Sequence, residues 1–396
     1  MSEKRKDSRG RILRIGESQR KDDTYMYRYT DIHRSREAVY ASALEELRAK
    51  EVSIQHDMED GIDYAAGKVT VLQLAERYIA QKTGVRYSTK MGYNFVINLL
   101  KKEDFSYRKI NSIKPSDAKA FAIKLHEDGR SHSAISRVWI VLKPIFGVAV
   151  GDDIVRKNPF DFRLSDVVPN DTAHREALTP EQKEKYLAYV LSDRCHRRHY
   201  DEIVVLLGTG MRVSEMFGLT ISDLDFEKRR FHVARQLGRT QHCEYYVEKP
   251  KTKSGDRYIP MTDEVYAAFQ RVIAKRPKPK VEMMIDGCTG FLFLDKNKKP
   301  KVALHLQHAM QWIIKEYNKK HSEQLPRITP HVLRHTFCTE MALSNMNLKN
   351  LPYLMGYSDA ATTLNIYSHN NFEAAQRDME RVVQNAADQR ESKAVE

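Results

Sequence analysis

Apolar residues return at helical spacing four times between residues 69 and 165, and this repetition constrains the fold more than any other feature of the chain. Val71, Leu72, Leu74, Ala75, Tyr78 and Ile79 define one helical face, and Tyr93, Val96, Ile97 and Leu100 a second. A third helix starts at Pro115 and turns Ala118, Phe121, Ala122 and Leu125 inward. The fourth, Ser131 to Val150, buries Ile135, Val138, Trp139, Val141, Leu142, Ile145 and Phe146, with Pro144 expected to kink it. Asn158-Pro159 closes the series and residues 166–176 read as a polar linker. The next helix opens at Thr179-Pro180-Glu181-Gln182, with an N-cap threonine, proline at the first position and glutamine at the third.

The flanking segments differ in texture. Residues 1–20 carry seven basic side chains against three acidic ones, and Thr24 to Thr30 (Thr-Tyr-Met-Tyr-Arg-Tyr-Thr) is bounded by turn-forming Asp22-Asp23 and Asp31. This predicts short strands in a small sheet, followed by a helix over Ala41 to Glu51. Beyond residue 176 the pattern is mostly helical with an inserted small sheet, whose candidates are Arg230–Ala234, Glu244–Glu248 and Arg257–Pro260. The fold class is therefore mainly α with small β-sheets (α+β), in three domains at 1–60, 68–165 and 176–386.

Composition narrows the function classes. Lys plus Arg outnumber Asp plus Glu by 66 to 53, a formal net charge of +13, which favours a polyanionic partner, nucleic acid first and anionic membrane second. Cys195, Cys243, Cys288 and Cys338 form no CxxC pair, so neither a disulfide framework nor a Cys-type zinc site is expected. The start carries no signal-peptide pattern, and no run of about 18 apolar residues suggests a membrane span. The reading is a cytoplasmic, nucleoid-associated protein without a membrane partner.

Several tempting motifs carry no chemistry. Cys195-His196-Arg197-Arg198-His199 lacks the ligands to close a tetrahedral metal site and reads as a solvated polar loop; no metal site is expected. No GxxxxGK[ST] loop occurs, so no nucleotide cofactor is implied. Asp223 and Asp225 read as residues bounding the segment after a helix.

Four other motifs follow one another in order. Thr209-Gly-Met-Arg-Val-Ser-Glu215 places Arg212 after a glycine turn at a helix entry. Lys249-Pro-Lys-Thr-Lys-Ser-Gly-Asp-Arg257 is a basic turn between two strand candidates, read as a hairpin tip. His331-Val-Leu-Arg334 sets a histidine and an arginine on one helix face, with Leu333 and Phe337 directed to the core. Leu354-Met-Gly-Tyr-Ser-Asp359 precedes Thr362-Thr-Leu-Asn-Ile-Tyr367-Ser-His369.

Taken together, TGMRVSE, PKTKSG, HVLRHTF, LMGYSD and TTLNIYSH resemble the tyrosine recombinase (phage integrase) family over residues ~70–370, and the N-terminal segment resembles the arm-binding domain of integrases from conjugative transposons. The resemblance implies an arm-type DNA-binding domain, a helical core-binding domain and a mixed α/β catalytic domain. It implies transesterification without metal or nucleotide: Tyr367 as nucleophile forming a 3′-phosphotyrosine, Arg212 and Arg334 as a clamp on the non-bridging oxygens, and His331 at the phosphate helping to take the Tyr367 proton. Lys251, preferred to Lys253, would be the general acid for the leaving 5′-oxygen. Glu215 would orient the neighbourhood. Tyr357 stands where many family members have His or Trp; a phenol donates one hydrogen bond but is no imidazole at neutral pH, so its implied role is accessory.

The implied partners are double-stranded DNA (element ends and target), a homo-tetramer on that DNA, an excisionase and DNA-bending proteins. Phe372, Ala375, Met379, Val382, Val383 and Ala386 recur at roughly helical spacing, a tail helix expected to dock on a neighbouring protomer. Two other readings are a type IB topoisomerase-like relaxing enzyme and a non-enzymatic DNA-binding regulator. The separate N-terminal domain argues against the first, and the intact set Arg212, Lys251, His331, Arg334 and Tyr367 against the second.

Overall fold

The computed structural model describes residues 5–30, 34, 36–59, 69–171, 176–250, 253–344, 346–347, 350–357, 376 and 379–380. The chain divides into two compact units, Met1–Ala173 and His174–Glu396. The observed class is the α+β arrangement predicted, helices with small antiparallel sheets.

The first unit contains two cores. In one, β1 (Glu17–Gln19), β2 (Tyr25–Thr30) and β3 (Arg36–Ala41) form an antiparallel sheet in that order, followed by α1 (Leu44–Glu59). Strand alternation sends Tyr25, Tyr27 and Tyr29 inward against Leu44, Leu47 and Ile54. Arg28, Thr30 and Arg36 stand exposed, with Arg28 opposite Ala38 and Thr30 opposite Arg36. Glu17, the first residue of β1, is fully buried and accepts from Arg48 Nε at 3.0 Å. The helix runs eight residues beyond the predicted Glu51.

The other core is formed by α2 (Val71–Ala80), α3 (Tyr87–Leu100), α4 (Pro115–Glu127) and α5 (His132–Gly151), with two short 3-10 turns between α3 and α4. Thr70 caps α2 by accepting from the Gln73 backbone at 3.2 Å while the Gln73 side chain returns to the Thr70 backbone at 3.0 Å. All seven residues assigned inward on α5 are buried, and Trp139 meets Phe160 edge-on at 5.0 Å. α5 is continuous through Pro144. By length and composition this helix could cross a membrane, but its apolar side is the centre of this core. The core continues to Val168, inside the segment read as a polar linker.

In the second unit, Thr179 caps α6 (Pro180–Ser192) through the capping box read from sequence. α7 (Tyr200–Thr209), α8 (Val213–Phe217), α9 (Asp263–Lys275), α10 (Ala303–Lys320), α11 (Pro330–Leu343) and α12 (Asn350–Met355) supply the remaining helices. β4 (Leu224–Asp225), β5 (Arg230–Val233) and β8 (Arg257–Pro260) form one antiparallel sheet; β6 (Gln236–Arg239) and β7 (Tyr245–Glu248) form a separate hairpin.

This corrects the hairpin reading of Lys249–Arg257. Its flanking strands are not partners: β7 pairs with β6, β8 with β5, and the basic segment links two sheets. The strand that changes the pairing, Gln-Leu-Gly-Arg, has no β-branched residue to announce it. It pairs nonetheless because Leu237 sits opposite Val247 and Gly238 leaves room for the Tyr246 ring, which a Cβ would approach to 2.2 Å.

The solvated-loop reading of 195–199 is also corrected. His196 and His199 are buried, His196 edge-on to Trp312 at 4.4 Å and His199 bonded to the buried Glu202 at 3.0 Å. Among the described residues no His, Cys, Asp and Glu cluster has the makings of a metal site.

Candidate active site

The site begins where α7 ends. Gly210 takes a left-handed conformation (φ +60°) that stops the helix, and a Cβ there would lie 2.2 Å from the Phe337 ring. The turn delivers Arg212 to the N-cap of α8, where its backbone N–H donates to Glu215 Oε2 at 3.0 Å. Its guanidinium donates through Nη1 to Glu215 Oε1 at 2.7 Å and through Nη2 to the Gly356 carbonyl at 3.3 Å. About a third of the Arg212 side chain stays open to solvent (33%).

Arg334 comes from the second turn of α11, with only 4% exposed. Its Nη1 donates to the Gly210 carbonyl at 2.8 Å and its Nη2 to the Met355 carbonyl. Burial pulls its pKa below the ordinary arginine value; Tyr357 opposes that and the Arg212 charge adds to it. An arginine starting so high is still a cation at neutral pH.

Glu215 is wholly buried between Arg212 and Arg257, whose Nη2 donates to its Oε2 at 3.0 Å. Burial raises the carboxyl pKa, but the adjacent Arg257 and Arg212 charges more than offset this and hold it below the usual carboxylate value. Two cations thus converge on one buried anion, leaving net positive charge at the open side.

Tyr357 closes the site. The Arg334 guanidinium lies 4.7 Å and that of Arg212 5.9 Å from its ring centroid. His331 is exposed in the first turn of α11, after the N-cap Thr329 that accepts from the Val332 backbone at 3.3 Å. Leu333 and Phe337 are buried as predicted. The structure therefore brings Arg212, Arg334, Tyr357 and Glu215 together around the α12 end. Lys251 and Tyr367 lie outside the described residues, as does most of the tail pattern after Phe372.

Sequence reasoning missed Arg257. The signal was available in strand parity: in Arg-Tyr-Ile-Pro the residue in phase with buried Ile259 is the arginine, and a charge on the core side of a strand demands a buried partner. An arginine pair around an open, positively charged floor suits stabilisation of charge that builds on phosphoryl oxygens.

Comparison with known proteins finds similarity in both units of the chain. Residues 176–374 match the phage integrase family, and residues 1–58 match the DNA-binding domain of Tn916 integrase. The chain is 46% identical to the transposase from transposon Tn916 of Enterococcus faecalis, with 96% of this chain and 97% of that one aligned. It is 45% identical to the Tn1549 transposon integrase in a complex with circular-intermediate DNA, at a TM-score of 0.75 over 79% of this chain and 99% of that one. A lambda integrase tetramer bound to a Holliday junction shares the fold at a TM-score of 0.54 and 14% identity, covering 88% of this chain and 94% of that one.

Proposed function

The chain belongs to the phage integrase family, the tyrosine recombinases, and from that premise we propose how its residues perform the reaction. It is a site-specific recombinase that excises and integrates a conjugative transposon by cutting and rejoining DNA. The observation that carries the residue assignment is the convergence of Arg212 and Arg334 on the carbonyls of Gly356 and Met355 at the α12 end, eleven and twelve residues before Tyr367 in the chain.

Tyr367 Oη attacks the scissile phosphorus. A P–O(Tyr) bond forms, the P–O5′ bond breaks, the phenol loses its proton and the departing 5′-oxygen gains one. Phenol has a pKa of about 10, so the cationic floor and His331 favour its ionisation. Lys251 delivers the proton to the 5′-oxygen. Arg212 and Arg334 meet the extra negative charge of the phosphorane, and Tyr357 seats both guanidiniums and offers one O–H to a phosphate oxygen. The phosphotyrosine conserves the bond energy, so a second 5′-hydroxyl reverses the attack on a new strand.

Three DNA-contacting regions follow the three-domain reading at 1–60, 68–165 and 176–386. The exposed face of the N-terminal sheet presents Arg28, Thr30 and Arg36, and a β-ribbon of this width enters a major groove. Lys90 and Arg137 stand exposed on α3 and α5 for phosphate contacts.

Exchange between two duplexes needs four active sites, hence a tetramer on DNA. An apolar cavity of about 480 Å³ between α6, α7, α9 and α11, lined by Leu187, Val204, Leu207, Phe337, Met341 and Met346, is the candidate seat for a neighbour's tail segment after Phe372. The protein works in the cytoplasm on the nucleoid, with an excisionase and DNA-bending proteins setting direction.

Two duplexes carrying the element's ends, incubated with protein in EDTA without ATP, test the reading. The expected product is a joined circular junction together with the resealed flank. Cleavage and resealing of each duplex with no exchanged strands, together with relaxation of a supercoiled plasmid assayed in parallel, would instead place the chain with the topoisomerases.

A further inference from the structure

Three arginines divide the end of α12 between them. Arg257 Nε donates to the carbonyl of Leu354 at 2.8 Å, Arg334 Nη2 to that of Met355, and Arg212 Nη2 to that of Gly356 at 3.3 Å. Two of these belong to the proposed clamp. Arg257 does not, and with a side chain 0% exposed it reaches no substrate.

Its other two nitrogens are bonded too. Nη2 bonds Glu215 Oε2 at 3.0 Å and Nη1 bonds the Gly255 carbonyl at 3.0 Å. Glu215 in turn holds Arg212 by two hydrogen bonds, to the side chain at 2.7 Å and to the backbone at 3.0 Å. The guanidinium also lies directly on the turn: Gly356 sits at φ +63°, and a Cβ there would come within 2.7 Å of Arg257 Nη1. A methionine or leucine would fill this volume without the desolvation cost of a buried charge. Neither could hold two backbone carbonyls and the Glu215 carboxylate at fixed separation, which the planar fork does.

We propose that Arg257 is a positioning residue for the transition-state clamp. Through Glu215 it fixes the Arg212 guanidinium, and through the Leu354 carbonyl it fixes the turn on which Arg212 and Arg334 close. The inference rests on the reading of those two arginines as the clamp. It makes the clamp a four-residue unit whose buried half sets the geometry of its open half.

The test uses the full-length protein with Arg257→Lys and Arg257→Met. Each is assayed for covalent adduct formation on a nicked duplex with an ordinary scissile phosphodiester and on one with a scissile methylphosphonate. The methylphosphonate is neutral, so its transition state carries one negative charge fewer and depends less on the clamp. On the phosphodiester both variants are expected to react on the order of ten- to a hundredfold more slowly than the parent chain, the size of a misplacement effect. On the methylphosphonate most of that deficit disappears. Gel shifts and unfolding midpoints accompany both variants, and Arg257→Lys carries the test if the methionine variant does not fold. Equal losses on the two substrates mean a structural lesion and overturn the proposal, as does no loss on either. A parent chain that forms no adduct on the phosphodiester overturns the clamp reading itself, a separate result.

Discussion

Arg334→Ala is expected to slow covalent cleavage on the order of a hundredfold to a thousandfold, the usual consequence of losing one preorganised donor to a developing oxyanion. Two features of the structure push towards the upper end. The guanidinium is buried, so its field is little screened by water. It also ties the carbonyls of Gly210 and Met355, so its removal loosens the turns that carry Arg212 and lead towards Tyr367. Arg334→Lys keeps a cation but not the fork, and should recover only a minor part of the rate. DNA affinity should change little, because one phosphate contact among many is lost. Single-turnover adduct formation at saturating protein, paired with gel shifts, separates the two effects.

Glu215→Ala should act on stability as strongly as on rate. The carboxylate is the only anion bonded to Arg257 among the described residues, and neither side chain has any exposed surface. Removing one partner of a buried pair strands the other, at a cost of roughly 3–5 kcal/mol. In a unit of this size each kcal/mol lowers the melting midpoint by about 2–4 °C, so a drop of the order of 10 °C is expected. Glu215→Gln keeps an acceptor oxygen and should lose less.

The pH dependence has a definite sign. The folded pKa of Glu215 is lowered, so its contribution is complete above the unfolded carboxylate pKa and is lost as pH falls through the folded value. The stability gap between the parent chain and Glu215→Gln should therefore be full at neutral pH and narrow only in acid. Thermal unfolding of both proteins at pH 7 and in the acid range checks this.

How far the sequence reaches depends on whether a residue's role is local. The Thr179 capping box and the inward face of α5 need only near neighbours, and both are found as read. Arg212 and Arg334 were legible because each follows its own helix start, and the motif order brought them to one site. β6 was not, since Gln-Leu-Gly-Arg is a strand only by virtue of Leu237 and Gly238 meeting β7. His196 read as solvated because polarity alone gives no sign of Trp312, which arrives more than a hundred residues later. Arg257 depends on partners 42 and 97 residues away, and no local pattern contains them.

The central claim is that the chemistry is carried by a single tyrosine acting in front of the arginine pair. The most direct measurement traps the adduct on a nicked duplex in EDTA, digests the protein and identifies by mass spectrometry the residue that carries the nucleotide. The account predicts a phosphotyrosyl bond at Tyr367 to a 3′-phosphate, with a free 5′-hydroxyl on the released strand. Attachment at another tyrosine, such as Tyr357 between the two guanidiniums, or a DNA-bound protein with no covalent nucleotide at all, would contradict it.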